Sequence, residues 1–322
     1  MASAQHDFDP GKWGYSLANV AEILFPCLEA VQARTVVEVG AYKGELTAVL
    51  LEWAGRSGAR VTAIEPKPPA ELEELAARNP DLEVVRQTSH RALGEIDPPD
   101  AVIIDGDHNW WTLSEELRLL DERSPGAGLP LLMFHDVGWP HARRDTYYDP
   151  DGIPEEHRQP LAHETRLAPG NPGAADHGLP YEWAAACEGG PRNGVLTALE
   201  DFTAERPDLR LAVVPAFFGF AVLWRRDASF AAAVEEIVAP WEHNPLLERL
   251  EANRVHHLVA EHAESQRAHE LRLRTAEQER ILRSLLGSGA FALAERVSRV
   301  RQGGLPAFSK EEIRRALEGP GG

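Results

Sequence analysis

Two apolar runs in this sequence end directly in acids and histidines. The run AVII, residues 101–104, is followed by Asp105, and His108 comes three residues later. The run LLMF is followed at once by His135 and Asp136. Carboxylates and imidazoles bind divalent cations, and an imidazole accepts a proton near neutral pH. If both runs are neighbouring strands of one sheet, these side chains meet at one edge of it.

These pairs suit the activation of a hydroxyl group. Two carboxylates from adjacent strand ends can chelate a hard cation such as Mg²⁺, so we predict Asp105 and Asp136 as metal ligands. A metal lowers the pKa of a hydroxyl, and His108 can accept its proton from the start of the next helix. Two interpretations of His135 stay open, a third ligand or a packed histidine that points away. Asp107 is expected to cap a helix or to support the ligands.

The elements that must position these residues are short strands alternating with helices. The predicted strands are apolar throughout, which is typical of a parallel sheet covered by helices on both faces. Strands are predicted at residues 35–40, 59–66, 82–86, 100–104 and 129–134. Helices are predicted at residues 17–32, 41–58, 69–79 and 112–123, the last with a threonine or serine cap.

The alternation stops after Asp136. Residues 139–192 are rich in proline, glycine, histidine and charge, with little periodicity. Their position after a strand end predicts a substrate lid, and their aromatic residues argue against simple disorder. A helix at 192–205 is predicted next, followed by an antiparallel strand pair at 209–215 and 218–226 on the sheet edge.

The chain is expected to have three parts. Residues 1–32 form an N-terminal helical segment, residues 33–235 carry the sheet, and residues 236–322 form a helical extension. The extension contains a long polar helical pattern at 242–287, in which leucines are too sparse for sustained heptads. A homo-oligomer formed through this helix is one expectation.

The composition and net charge limit which classes of partner and which cellular compartment are expected. The 322 residues carry a formal net charge of −18, so we expect neither nucleic acid nor an anionic membrane surface as a partner. Cys27 and Cys187 are the only cysteines, and a cytoplasmic protein without disulfides is expected. No signal-peptide pattern begins the sequence, and no apolar run approaches the roughly 20 residues that cross a bilayer. The composition also hints at a bacterial source.

The first strand ends in a glycine turn, VVEVGAYKG, that can approach a ligand closely. Gly40 permits a tight turn before the next helix, and Glu65 ends the following strand, where it can accept hydrogen bonds from ribose hydroxyls. The G-x-G-x-x-G fingerprint of dinucleotide-binding domains is missing. Glu38, two residues before Gly40, would repel a pyrophosphate but suits a ligand with a cationic centre. A nicotinamide dehydrogenase is therefore disfavoured.

Residues 33–226 resemble the class I S-adenosylmethionine-dependent methyltransferases, on the strength of VVEVGAYKG and the acidic strand end at Glu65. The resemblance implies a Rossmann-like, doubly wound and mostly parallel sheet whose last strand is antiparallel. It also implies S-adenosylmethionine as the cofactor, with Asp105 among the residues near it. By this resemblance, Glu38, Gly40 and Gly44 line the methionine side of the cofactor. Glu65 binds its ribose, and Ser89 and His90 lie near its adenine.

The D-x-x-H pair Asp105 and His108, together with the N-terminal KWGY segment, is similar to the metal-dependent O-methyltransferases of antibiotic sugars, of the mycinamicin and macrocin type. That resemblance implies Mg²⁺ or another divalent cation bound by Asp105, with His108 as the base. The acceptor is expected to be a hydroxylated small molecule, such as a sugar of a natural product. This sequence departs from the family by having His135 and Asp136 where an acid pair is common.

Substrate contacts are expected from aromatic and charged residues around the site. The candidates are Lys12, Tyr15, Trp139, Arg143, Arg144, Tyr147 and Tyr148. The two arginines could instead be plain surface residues. Most histidines of the insertion, which are His141, His157, His163 and His177, lack metal-ligand spacing and are expected to be solvated. Two alternative functions remain, another reaction such as hydroxylation on the same fold and a non-catalytic interaction module.

Overall fold

The computed structural model describes residues 16–124 and 128–301, together with residue 313. Lys12 and Tyr15, which we predicted to bind substrate, lie outside the described residues. The chain divides into two compact units, with the boundary between Val259 and Ala260. None of the helices in the described ranges has an apolar stretch that could cross a lipid bilayer.

Seven strands form one sheet in the order β3-β2-β1-β4-β5-β9-β8. The strands are β1 (Thr35–Val39), β2 (Arg60–Ile64), β3 (Leu82–Val85), β4 (Ala101–Ile104), β5 (Leu131–His135), β8 (Leu209–Val214) and β9 (Phe220–Arg225). The first five pair in parallel, and β9 runs antiparallel to both β5 and β8. The predicted Rossmann-like, mostly parallel sheet with an antiparallel strand near its edge is confirmed.

The continuous apolar strands follow from helices on both faces of the sheet. Successive side chains of a strand point to opposite faces, so Val36 joins one core and Val37 the other. One face packs against α1 (Ala21–Val31), α2 (Glu45–Ser57), α3 (Ala70–Arg78) and α7 (Ala231–Val238). The other packs against α4 (Ser89–Glu95), α5 (Trp110–Arg123) and α6 (Val195–Thr203).

The helix after β4 begins two residues earlier than predicted, and its cap is neither threonine nor serine. Asn109 is the N-cap of α5, and its side-chain Oδ1 accepts a hydrogen bond from the Thr112 amide at 2.8 Å. Asparagine satisfies a free amide of the first turn as well as serine does. This start leaves Asp105, Asp107 and His108 in the loop between β4 and α5.

The insertion contains an antiparallel hairpin that its sequence did not indicate. Strands β6 (Leu161–Leu167) and β7 (Leu179–Ala185) pair with each other, from Leu161 opposite Ala185 to Leu167 opposite Leu179. Most side chains of the pair are at least partly exposed. With little apolar surface to bury, the hairpin lacks the alternation that reveals a strand.

The C-terminal helices agree with the predicted long helical pattern. α8 spans Pro245–Gly287, and α9 follows at Gly289–Arg301. Val255 is the buried residue of α8, whereas Leu246, Leu250, Leu271 and Leu285 are exposed. Self-association through this helix stays a prediction.

We expect Gly40→Ala to lower the free energy of unfolding by at least about 2 kcal/mol. Gly40 has a φ of +85°, and a Cβ placed there would lie 2.1 Å from the carbonyl oxygen of Asp105. Gly55 in α2 offers a control, because a Cβ there meets nothing within 4 Å. Gly55→Ala should stabilise the protein by about 0.5–1 kcal/mol. Urea unfolding measures the stability of both variants. Equal stabilities of Gly40→Ala and the wild type would contradict the close approach of Gly40 to Asp105.

Candidate active site

The predicted site residues gather at the carboxyl ends of β1, β4 and β5. β4 lies between β1 and β5 in the sheet, so Glu38, Asp105 and Asp136 come from three adjacent strand ends. Ligands of open α/β sheets bind at this edge, where the strand order reverses. The sheet thereby brings the glycine turn and both acid–histidine pairs to one place.

Glu38 is a buried acid beneath the glycine turn. Its Oε2 accepts a hydrogen bond of 2.6 Å from the Thr47 hydroxyl on α2, and its side chain is almost inaccessible to solvent. Burial raises the pKa of Glu38 to about 8; the Thr47 bond opposes that rise and the nearby Asp105 adds to it. A cationic ligand would favour loss of this proton, because it would stabilise the carboxylate.

Glu65 joins the end of β2 to the glycine turn. Its two carboxylate oxygens accept hydrogen bonds from the amides of Tyr42 at 3.1 Å and Lys67 at 3.0 Å. These bonds hold the carboxylate beside the turn that contains Gly40 and Gly44, both of which have positive φ. Its position is compatible with a ribose contact.

Ser89 and His90 open α4, beside α5. The His90 Nε2 lies 3.1 Å from the carbonyl of Thr112, so this nitrogen carries the proton. The imidazole also contacts the edge of Trp111, with ring centroids 4.8 Å apart. His90 is therefore held by α5, and its contact with adenine, like that of Ser89, stays a prediction.

Asp105, His108, His135 and Asp136 form one cluster. Asp105 Oδ1 lies 3.1 Å from His135 Nδ1 and 3.4 Å from His108 Nε2. Asp136 Oδ2 lies 3.0 Å from the same His108 nitrogen. The predicted convergence of the two strand ends is found in the structure, and His135 points into the cluster rather than away from it.

The backbone at Asp136 is unusual for a non-glycine residue. Its φ is +58°, in the left-handed region that side chains other than glycine rarely adopt. The carboxylate is buried and directed at three histidines. Such conformations persist where surrounding contacts hold them, and they concentrate at functional sites.

The carboxylates and imidazoles of the cluster shift one another's pKa values. Burial alone lowers the pKa of His135, but the neighbouring Asp136 and Asp105 outweigh it and raise that pKa to about 9. The same carboxylates raise the pKa of His108 against the effect of burial. In turn, the histidines hold the pKa of Asp136 well below its usual range, although burial opposes this. The cluster thus requires positive charge beside its two carboxylates.

His141 is a member of this cluster that sequence reasoning missed, since it was expected to be solvated. It is buried, its Nδ1 lies 3.0 Å from the Thr146 hydroxyl, and its Nε2 lies 3.2 Å from the Tyr181 hydroxyl and 3.8 Å from Asp136. Burial lowers the pKa of His141 to about 3, although Asp136 opposes the shift. The available signal was its position five residues after Asp136.

The donor atoms fit a metal ion. Asp105, His135 and Asp136 offer three atoms within 4.8 Å of one another, and so do His108, Asp136 and His141. Asp136 belongs to both sets. Carboxylate oxygens and imidazole nitrogens at this spacing could close around a single divalent cation after small adjustments.

Most insertion residues predicted to bind substrate have partners within the protein. Arg143 pairs with Glu200 of α6, and Arg144 is buried with its guanidinium on the carbonyls of residues 171–173. Tyr147 is buried and donates to Asp145. Trp139 is half-buried against the small apolar cluster of Leu179, Phe218 and Val255.

Tyr148 is the predicted substrate residue that faces solvent beside the cluster. Its side chain is 79% exposed, and its ring centroid lies 6.2 Å from that of His108. Its amide donates to Asp107 Oδ1 at 3.1 Å, and Asp107 also accepts from Asn109 at 2.7 Å. Asp107 thus ties the insertion to the loop that carries Asp105 and His108.

Asp145 anchors the same insertion and was not singled out from the sequence. Its Oδ1 accepts hydrogen bonds from the amides of Trp110 at 2.8 Å and Gly194 at 2.6 Å, at the starts of α5 and α6. Burial raises the pKa of Asp145 to about 6, against these hydrogen bonds. A single acid in an irregular stretch gives no sequence signal for such a contact.

Residues 37–137 match a protein family described as a methyltransferase domain. The matched segment is about a third of the chain and runs from β1 to the residue after Asp136. It therefore contains Glu38, Glu65, Asp105 and His108. No curated protein matches the chain significantly.

Several solved structures are distantly similar to this chain. A methyltransferase of Podospora anserina with SAH bound is 16% identical, with a TM-score of 0.44, and the match covers 67% of this chain and 81% of that one. The cofactor-bound protein Rv0187 from MTB is 20% identical, with a TM-score of 0.37, over 66% of this chain and 82% of that one.

We expect Glu38→Gln to flatten the dependence of stability on pH. The folded protein holds a proton on Glu38 up to a pKa of about 8, whereas an unfolded glutamate loses it near 4.5. Stability therefore falls as pH rises between these values, by up to about 1.4 kcal/mol per pH unit. Glu116 on α5, whose pKa burial also raises to about 8, should leave part of the slope in the variant.

Urea unfolding at pH 5, 6, 7 and 8 measures this slope. Glu52→Gln, an exposed substitution on the same helix as Thr47, is the matched control and should keep the wild-type slope. Equal slopes for Glu38→Gln and the wild type would show that the pKa of Glu38 is not raised in the folded protein.

Proposed function

We propose that this protein is an S-adenosylmethionine-dependent O-methyltransferase that acts, with a divalent cation, on a hydroxyl of a sugar or another polyhydroxylated natural product. The observation that carries the proposal is the convergence of Glu38, the Gly40 turn and the Asp105–His108–Asp136 cluster at one sheet edge. The methyltransferase-domain match over residues 37–137 supports it.

The cofactor half of the site would lie between β1 and β2. Glu38 would face the methionine end of the cofactor, where the sulfonium carries positive charge, and Glu65 would accept from the ribose hydroxyls. The turn at Gly40 lets the backbone come close to the ligand, since no side chain stands there. Ser89 and His90 would contact the adenine.

The acceptor half of the site would be the carboxylate–histidine cluster. When bound, the cofactor supplies a sulfonium methyl group, and a cation held by Asp105, Asp136 and His135 supplies positive charge that makes a nearby hydroxyl more acidic. With that cation balancing the two carboxylates, His108 would be free to accept the hydroxyl proton at Nε2, and the acceptor oxygen would take the methyl group from the sulfur. The carboxylates on both sides of His108 stabilise the imidazolium formed.

The insertion would serve as the substrate lid. Asp107 and Asp145 hold its first part against α5 and α6, so closure would involve the exposed residues around Tyr148 rather than the whole segment. An exposed aromatic ring beside the cluster is suited to stacking on a sugar or a flat aglycone.

Hydroxylation is the second candidate function, and one observation favours it. His108, Asp136 and His141 present two imidazoles and one carboxylate, the donor types of non-haem iron oxygenases. Oxygen consumption in the presence of Fe²⁺ and a reducing co-substrate, without methyl transfer, would favour this candidate.

We expect His108→Gln to reduce methyl transfer by about 10²- to 10⁴-fold, because a general base contributes rate enhancement in that range. Transfer of a labelled methyl group to a panel of glycosylated and phenolic alcohols measures the rate. S-adenosylhomocysteine should bind the variant as it binds the wild type. His157→Gln, a histidine outside the cluster, should keep wild-type activity, and an equally active His108→Gln would remove His108 as the base.

Tyr148→Ala should raise the KM for the acceptor, by about fivefold or more if stacking contributes about 1 kcal/mol. The affinity for S-adenosylhomocysteine should not change. Tyr148→Phe keeps the ring and should retain most of the acceptor affinity. Equal KM values for the alanine variant and the wild type would show that this ring does not contact the acceptor.

A further inference from the structure

We propose that Asp105, Asp136 and the Nδ1 atom of His135 bind a transition-metal ion in preference to Mg²⁺. The inference deepens the proposed function and rests on it only for the role of the ion in methyl transfer. Binding of the ion itself can be measured without a cofactor or an acceptor.

The tautomer of His135 follows from its contact with Phe217. His135 Nε2 lies 2.7 Å from the Phe217 carbonyl oxygen. A carbonyl can only accept, so Nε2 carries a proton and donates it. In the neutral imidazole the other nitrogen, Nδ1, therefore presents a lone pair to the cluster.

In the neutral imidazole, which is the form that binds a metal ion, this lone pair faces two carboxylates. Nδ1 lies 3.1 Å from Asp105 Oδ1 and 3.7 Å from Asp136 Oδ2. His135 is 3% exposed and Asp136 is 6% exposed, so bulk water screens these charges little. The third donor, Asp105, is partly exposed. Three electron-pair donors aimed at one another in this largely buried space favour a cation among them.

The Phe217 carbonyl is itself held in place, as the outer partner of a ligating histidine usually is. Glu251 on α8 accepts hydrogen bonds from the amides of Phe217 at 3.0 Å and Phe218 at 2.8 Å. Both phenylalanines have positive φ, at +53° and +65°. Arg254 pairs with Glu251 at 2.6 Å and lies over the Phe218 ring. The start of α8 thereby orients His135.

The donor types decide which ion fits. Mg²⁺ prefers oxygen ligands, and a buried imidazole nitrogen is a poor match for it. Imidazole suits Fe²⁺, Ni²⁺ and Zn²⁺, and the affinity of a site with nitrogen and oxygen ligands rises from Mn²⁺ through Fe²⁺ to Co²⁺. With His108 and His141 adjacent, the surroundings of the two carboxylates are also rich in nitrogen.

Calorimetry with CoCl₂, MnCl₂ and MgCl₂ on the full chain tests the proposal. We expect Co²⁺ and Mn²⁺ to bind one ion per chain more tightly than Mg²⁺ by more than about tenfold. The visible absorption of bound Co²⁺ should change on His135→Gln, with affinity reduced by at least about tenfold. Equal or tighter binding of Mg²⁺ would overturn the proposal, and so would a Co²⁺ spectrum unchanged by His135→Gln.

One further variant separates the two ligand sets. His141→Gln should leave one Co²⁺ bound with nearly wild-type affinity, because His141 belongs to the other donor set. Loss of Co²⁺ binding in His141→Gln but not in His135→Gln would assign the ion to the set of His108, Asp136 and His141. That result would overturn the proposal.

Glu251→Gln should weaken Co²⁺ binding by about 10- to 100-fold, if it acts on the outer partner of the ligand. Glu248→Gln, the same exchange on an exposed residue one turn earlier, should not weaken it. Binding of S-adenosylhomocysteine is measured separately. Absence of S-adenosylhomocysteine binding would overturn the proposed function and leave the metal site standing. Absence of Co²⁺ binding alone would overturn the metal site and leave the cofactor-binding half of the proposed function.

Discussion

Two carboxylates at the ends of β4 and β5 have to be balanced by positive charge in a space with little water. Asp105 and Asp136 lie within hydrogen-bonding distance of histidines, and Asp136 is buried in a strained backbone conformation. Protons on His108 and His135 or a bound cation can provide the charge. A buried carboxylate without such a partner would cost several kcal/mol, so the surrounding loops are arranged to keep these partners in place.

The parts of the chain outside the sheet serve this arrangement. Asp107 and Asp145 attach the insertion to the loop after β4 and to the starts of α5 and α6. The insertion in turn contributes His141. Glu251, from the first turns of α8, holds the bend that accepts the hydrogen bond of His135. These side chains are far apart in sequence, and each of them limits how the cluster can move.

The glycine turn and the cluster are physically linked. The backbone of Gly40 lies so close to Asp105 that no side chain fits between them, and the charge of Asp105 contributes to the raised pKa of Glu38. A cationic ligand at the turn and a cation at the cluster would therefore influence each other through Asp105. The proposed methyl transfer needs its two reactants close together, and this proximity supports it.

The mostly parallel sheet could be predicted from the residues alone, because continuous apolar runs ending in glycine or acids specify parallel strands buried on both faces. It also placed Asp105, His108, His135 and Asp136 at adjacent strand ends, since chain order and strand direction are enough for that. The folded chain was needed to show that His135 points inward, that His141 is buried and that Arg144 binds loop carbonyls. Side-chain direction and burial depend on segments such as the β6–β7 hairpin and α8, whose contacts join residues remote in sequence and leave no local pattern.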